Sequence, residues 1–137
     1  MSKGGPDKPK HPRTTVVVAD DHPAVRRALE SLIRSAGDLE LLASACNGAE
    51  AIRLTIELSP QVVVMDLMMP GVNGVEATRV IRRRQPSVAV VALSASHELT
   101  RDATAAGASC SVLKDVDPLR LLEAIRAAAG EHRQADR

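Results

Sequence analysis

A chain of 137 residues is long enough for one domain of ordinary size, with a core that needs no disulfide or metal staple. Hydrophobic residues at 45% and charged residues at 26% are a globular composition, and no apolar run approaches the roughly 20 residues that span a bilayer, so no membrane segment is expected. The formal net charge of +1 offers no concentrated basic surface for nucleic acid, and with Phe, Tyr and Trp all absent the core must be built from Val, Leu, Ile, Met and Ala.

Residues 1–13 carry Pro6, Pro9, Pro12, two glycines and scattered charge, which reads as a flexible tail. They show neither the apolar stretch nor the cleavage site of a secretory signal, so a cytoplasmic protein is expected. The folded unit is expected over residues 14–130, with residues 131–137 as a second tail. Strands are predicted at Thr14 to Ala19, Leu39 to Ser44, Gln61 to Met65, Val88 to Leu93 and Ser109 to Leu113. Most are continuously apolar, as in a parallel sheet buried on both faces.

Val25, Ala28, Leu29, Leu32 and Ile33 repeat at helical spacing after the first strand, and Gly37 reads as the stop of that helix. Further helices are predicted over Asn47 to Leu58, Asn73 to Arg84, His97 to Ala106 and Pro118 to Ala129, the last opened by Asp117 as cap and Pro118 in the first turn. Arg82, Arg83 and Arg84 form the one basic run, read as a solvated helix end. Cys46 and Cys110 are too few and too unpatterned for a metal cluster or a disulfide framework. Five β-α units with right-handed crossovers make an α/β fold, a doubly wound five-stranded parallel sheet in the flavodoxin-like order 2-1-3-4-5, with its site at the carboxyl ends of strands one and three.

That architecture brings Asp20, Asp21, Asp66, Ser94 and Lys114 to one edge. Three carboxylates crowded together repel one another, and a hard divalent ion such as Mg2+ relieves the repulsion. Singly, each residue has a plainer structural reading: Asp20 and Asp21 as helix caps, Ser94 as a cap, Lys114 as a surface charge, and His22 as an exposed helix-start residue rather than a ligand. Their convergence from four strand ends favours a common site.

Val18-Ala19-Asp20-Asp21-His22-Pro23, Met65-Asp66-Leu67-Met68-Met69-Pro70 with Gly74, Ala92-Leu93-Ser94-Ala95 and Val112-Leu113-Lys114-Asp115 resemble the signature of response regulator receiver domains, over nearly all of residues 14–130. The resemblance implies a CheY-like (βα)5 switch of two-component signalling. It makes Asp66 the phosphoacceptor, assigns Mg2+ to Asp20, Asp21, Asp66 and the backbone carbonyl of Met68, and gives Ser94 and Lys114 the phosphoryl oxygens. The implied donor is a sensor histidine kinase or a phosphotransfer protein, the only chemistry is self-catalysed transfer and hydrolysis, and a homodimer is compatible. Asp-Asp-His-Pro and Lys-Asp resemble the NarL-type subfamily, whose members usually append a DNA-binding domain. No DNA binding is expected from this segment itself, read as a stand-alone receiver or as the regulatory part of a longer transcription factor.

One departure concerns output. Ser111 stands where the family usually has an aromatic switch residue, and Cys110 replaces a common glycine, which puts the aromatic relay in doubt while leaving the phosphorylation residues intact. Asp115, where related receivers carry a proline, predicts a trans bond after Lys114. Of the rival readings, a haloacid-dehalogenase-like phosphatase needs a second carboxylate where Met68 stands, and a nucleotide- or flavin-binding module needs a glycine-rich phosphate loop after the first strand. An unphosphorylated receiver-like interaction module keeps the fold but leaves the intact acidic, hydroxyl and lysine positions unexplained.

Overall fold

The computed structural model describes residues 12–135. Strands and helices alternate along the chain: β1 (Thr14–Ala19), α1 (Pro23–Ser35), β2 (Leu39–Ala45), α2 (Gly48–Leu58), β3 (Val62–Asp66), α3 (Gly74–Arg84), β4 (Ala89–Ser94), α4 (His97–Ala106), β5 (Cys110–Leu113) and α5 (Pro118–Ala135). The strands make one parallel sheet in the expected order β2-β1-β3-β4-β5. Sheet periodicity explains the apolar runs. Val16, Val18, Val62, Val64, Val91 and Leu93 face a core shared with Leu29 and Ile33 of α1 and with Leu121, Leu122 and Ile125 of α5. The residues between them, Val17, Ala19, Val63, Met65 and Val90, face Ala51 of α2 and Ala77 and Ile81 of α3. With both faces covered, no strand position in the middle of the sheet is left for water.

Local chemistry sets the boundaries. Asn47, Asn73 and Ser96 accept the backbone amides of Glu50, Glu76 and Leu99 at 2.8, 3.0 and 3.2 Å, so Asn47 and Asn73, expected as the first helical residues, are the caps before them. Gln61 precedes β3 rather than opening it: its side chain accepts the Thr15 amide at 3.1 Å while Thr15 Oγ1 accepts the Gln61 amide at 3.0 Å.

Three expectations need correction. α1 ends at Ser35 with an extended cap at Ala36, and Gly37 lacks the positive φ of a left-handed stop. α5 passes Gly130 and continues to Ala135, so residues 131–135 are helical rather than tail; a glycine weakens a helix by about 1 kcal/mol without ending it. Arg82 is not simply solvated, because its guanidinium donates to the carbonyls of Pro86 and Val88 beyond the helix end. The rest of the second tail, and residues 1–11 of the first, lie outside the described residues. Every peptide bond among the described residues is trans, the one after Lys114 included.

Candidate functional site

The carboxyl edge of the sheet collects the chemistry. β1 ends at Ala19, paired with Met65 of β3 and Ala45 of β2, so Asp20 leaves β1 beside the strand that ends in Asp66. Asp66 pairs with Leu93, and Ser94 with Leu113, which delivers Ser94 and Lys114 to the same edge. The amide of Lys114 donates to the Ser94 carbonyl at 3.0 Å, tying those two positions together.

Asp20, Asp66 and Ser94 are completely buried. Lys114 Nζ lies 3.0 Å from Asp66 Oδ1, and the Met68 amide donates to that same oxygen at 3.1 Å. Asp20 Oδ1 accepts the amide of His22 at 2.8 Å, while the Asp20 carbonyl accepts Arg26 Nη1 at 2.9 Å. Neither carboxylate caps α1: the cap position is His22, whose side chain makes no capping bond. Among the described residues, Asp20 Oδ2 and Asp66 Oδ2 are buried without a hydrogen-bond donor, and Asp21 Oδ1 likewise accepts none.

Burial pushes the Asp66 carboxyl above the usual carboxylate range; the Met68 amide and Lys114 pull it down, and the charge of Asp20 adds to the rise. Buried carboxylate oxygens without donors are costly unless a cation compensates them. Asp20, Asp21, His22 and Asp66 each offer a ligand atom, and these atoms lie within 4.8 Å of one another. The oxygen-rich donor set fits a hard divalent ion of the Mg2+ type.

Ser94 reaches the edge as expected, but its hydroxyl is engaged within its own loop. Oγ donates to the Ser96 carbonyl at 2.5 Å and accepts the Ser96 amide at 3.2 Å. Ser111 lies on β5 opposite Ala92, with its Oγ buried and without a hydrogen-bond partner among the described residues. Met68 presents its amide to Asp66, and its side chain is among the more exposed apolar groups.

Sequence reasoning missed the backbone approaches that pack the site. A Cβ on Gly74 would stand 2.1 Å from the Asp66 carbonyl oxygen, and one on Gly48 would stand 2.0 Å from that of Val72. The signal was present as Asn47-Gly48 and Asn73-Gly74: in each pair the Asn caps a helix while the Gly lets the helix start touch neighbouring backbone. His22 is the exposed helix-start residue that the sequence suggested, and its Nδ1 lies beside the carboxylates of Asp20 and Asp21.

The family model for the response regulator receiver domain matches residues 16–126. The nitrate/nitrite response regulator NarL of Escherichia coli K12 is 38% identical over 120 residues, covering 85% of this chain and 56% of that protein. The chain thus spans about half the length of the curated relatives it matches. A LuxR-family two-component response regulator from Aurantimonas sp. SI85-9A1 superposes with a TM-score of 0.82 at 36% identity, covering 87% of this chain and 86% of that one. The response regulator domain of Thermotoga maritima CheB gives 0.81 at 31% identity, covering 86% and 97%.

Proposed function

Because the chain belongs to the response regulator receiver domain family, as a receiver of the NarL/LuxR type, we propose that it is a switch set by phosphorylation of Asp66. The observation that carries this reading is the asymmetry of the Asp66 carboxylate, with two donors on Oδ1 and none on Oδ2 among the described residues. Oδ2 is the nucleophile. A phosphohistidine on a sensor histidine kinase or phosphotransfer protein gives up its phosphoryl group: the P–N bond breaks, the P–O bond to Asp66 forms, and the donor imidazole keeps the electron pair and takes a proton from solvent. Lys114 holds Oδ1 during transfer and afterwards pairs with the phosphoryl oxygens. Ser94 exchanges the bond that it donates to the Ser96 carbonyl for one to the phosphoryl group.

Asp20, Asp21, Asp66 and the Met68 carbonyl are the residues that would hold Mg2+. When bound, that ion neutralises the charge that otherwise keeps a phosphoryl donor from a carboxylate. Met68, where a haloacid-dehalogenase-like phosphatase needs an acid, gives the site no proton donor for turnover. The protein works in the cytoplasm, where kinase phosphohistidine is available; among the described residues no helix is long and apolar enough to cross a membrane. Its output passes to whatever domain or partner the α4–β5–α5 face meets.

Intact-mass measurement with acetyl phosphate and Mg2+ tests the proposal. One phosphoryl group should add to the wild type and none to Asp66→Asn, Asp20→Ala, Asp21→Ala or the chelated protein. A gain that persists in Asp66→Asn, or no gain in the wild type with several donors, overturns it.

A further inference from the structure

His22 reaches into the carboxylate cluster. Its Nδ1 lies 3.2 Å from Asp21 Oδ1 and 3.5 Å from Asp20 Oδ1. Metal bonds of about 2.0 to 2.2 Å set at right angles separate neighbouring donor atoms by roughly 3 Å, so these spacings match adjacent ligands on one ion. A further oxygen, Asp20 Oδ2, belongs to a wholly buried side chain and has no donor among the described residues. The backbone of His22 is held by Asp20 and by the start of α1, but the imidazole itself is 62% exposed and makes no capping bond, which leaves Nδ1 available to an ion.

The geometry points to His22 as a nitrogen ligand of this site, which would make it a centre for borderline first-row ions, Fe2+ through Zn2+, as well as for the hard ions Mg2+ and Mn2+. This inference rests on the divalent-ion reading of Asp20, Asp21 and Asp66 given above. Imidazole suits transition ions, whereas Mg2+ takes oxygen and releases its water reluctantly. His22 is therefore a selectivity residue. It strengthens binding of transition ions and leaves the oxygen ligands of Mg2+ as they are, so metal supply decides which ion attends Asp66. A simple contact between His22 and the two carboxylates, with no metal bond, is the competing arrangement.

Mn2+ separates the two, because pulsed EPR detects a 14N nucleus bonded to the ion. The wild type loaded with Mn2+ should show nitrogen modulation, and His22→Ala, which still binds Mn2+ through its carboxylates, should lack it. By calorimetry, His22→Ala should lose roughly tenfold or more in Co2+ affinity, the scale of perturbing a metal's ligand environment, with Mg2+ affinity changed less than about twofold. His22→Gln should behave as His22→Ala does, and unchanged thermal melts would show that the fold is intact in both. Saturated Mn2+ without nitrogen modulation in the wild type overturns the inference, as does modulation that persists in His22→Ala, which would assign the nitrogen elsewhere. Failure of Asp20→Asn with Asp21→Asn to reduce Mn2+ binding would instead overturn the carboxylate site itself, and the inference with it.

Discussion

Lys114 Nζ and the Met68 amide converge on one oxygen of Asp66, at 3.0 and 3.1 Å, and so fix the rotation of a carboxylate whose other oxygen is buried without a donor among the described residues. Lys114 follows β5 and Asp66 ends β3, two strands separated by β4. Their contact therefore reports the register of half the sheet. A slip of β5 by one residue would move Lys114 off the edge and leave Asp66 without its cation.

Burial is the leading influence on the Asp66 carboxyl and raises its proton affinity in the folded state. Its contribution to stability is thus fully present below the unfolded value of about 3.9 and is lost as pH rises through the higher folded value. Without divalent ions, Asp66→Asn should escape that decline and be the more stable protein at neutral pH, with the difference closing towards pH 4. Urea melts of both proteins across this range in chelator measure the gap. Parallel pH profiles would show that Asp66 carries no such burden.

Gly74→Ala should destabilise by about 1 to 3 kcal/mol, as overpacking against backbone does, because its Cβ would meet the Asp66 carbonyl and Leu67 Cα with nothing flexible to yield. Phosphorylation should slow as well, since relief of that clash displaces Asp66. Gly37→Ala meets no atom within 4 Å, and its φ is not positive, so it should stay within about 0.5 kcal/mol of the wild type and serve as control. Equal denaturation midpoints for the two variants would contradict the close approach at Gly74.

Asp38 and Arg126 join the start of β2 to α5 through a two-pronged contact of 2.7 and 3.0 Å. The Arg126 hydrogen bonds hold the Asp38 carboxyl below the usual range, so any stability it contributes is present above about pH 3.9 and is lost as pH falls through the lower folded value. Both side chains are about half exposed, and solvent screening limits the pair to at most about 1 kcal/mol. Arg126→Ala should therefore cost less than that at neutral pH and low salt, and nothing measurable in molar salt. A salt-independent loss would mean that packing of the arginine stem, not charge, is what was removed.

What the sequence made legible was whatever depends on local pattern. The buried valine runs dictated strands covered on both faces, and the residues that end β3 and β4 or follow β1 and β5 carried the site because strand ends in a parallel sheet share one edge. Relationships between elements were less accessible. That Ser94 bonds Ser96 depends on how the β4–α4 loop turns, and the contact of His22 with Asp20 and Asp21 depends on how α1 starts. Gly130 misled in the opposite direction, since a glycine near a chain end resembles a helix stop while the contacts of Leu121, Ile125, Ala128 and Ala129 with the core anchor the helix that carries it.

The last expectation concerns transmission. Phosphate on Asp66 adds negative charge and acceptor oxygens, and Ser94 can donate to them only by giving up its bond to the carbonyl of Ser96, the cap of α4. Release of that loop should move the start of α4. Further along, Ser111 offers no ring to mark the new state: its Oγ is buried without a hydrogen-bond partner among the described residues, beside a depression of about 540 Å³ lined in part by Leu113, Arg120 and Glu123. The two states of the α4–β5–α5 face should accordingly differ by only about 1 to 2 kcal/mol in their response to phosphate. Ser111→Tyr places a ring beside that depression and should enlarge the shift. Amide chemical shifts with and without beryllofluoride, compared in the two proteins, measure it: changes should extend from Asp66 through residues 95–106 in the wild type and reach β5 and α5 more strongly in the variant. Perturbations confined to the Asp66 pocket in both would mean that the Ser94 loop is not the route by which phosphate is read.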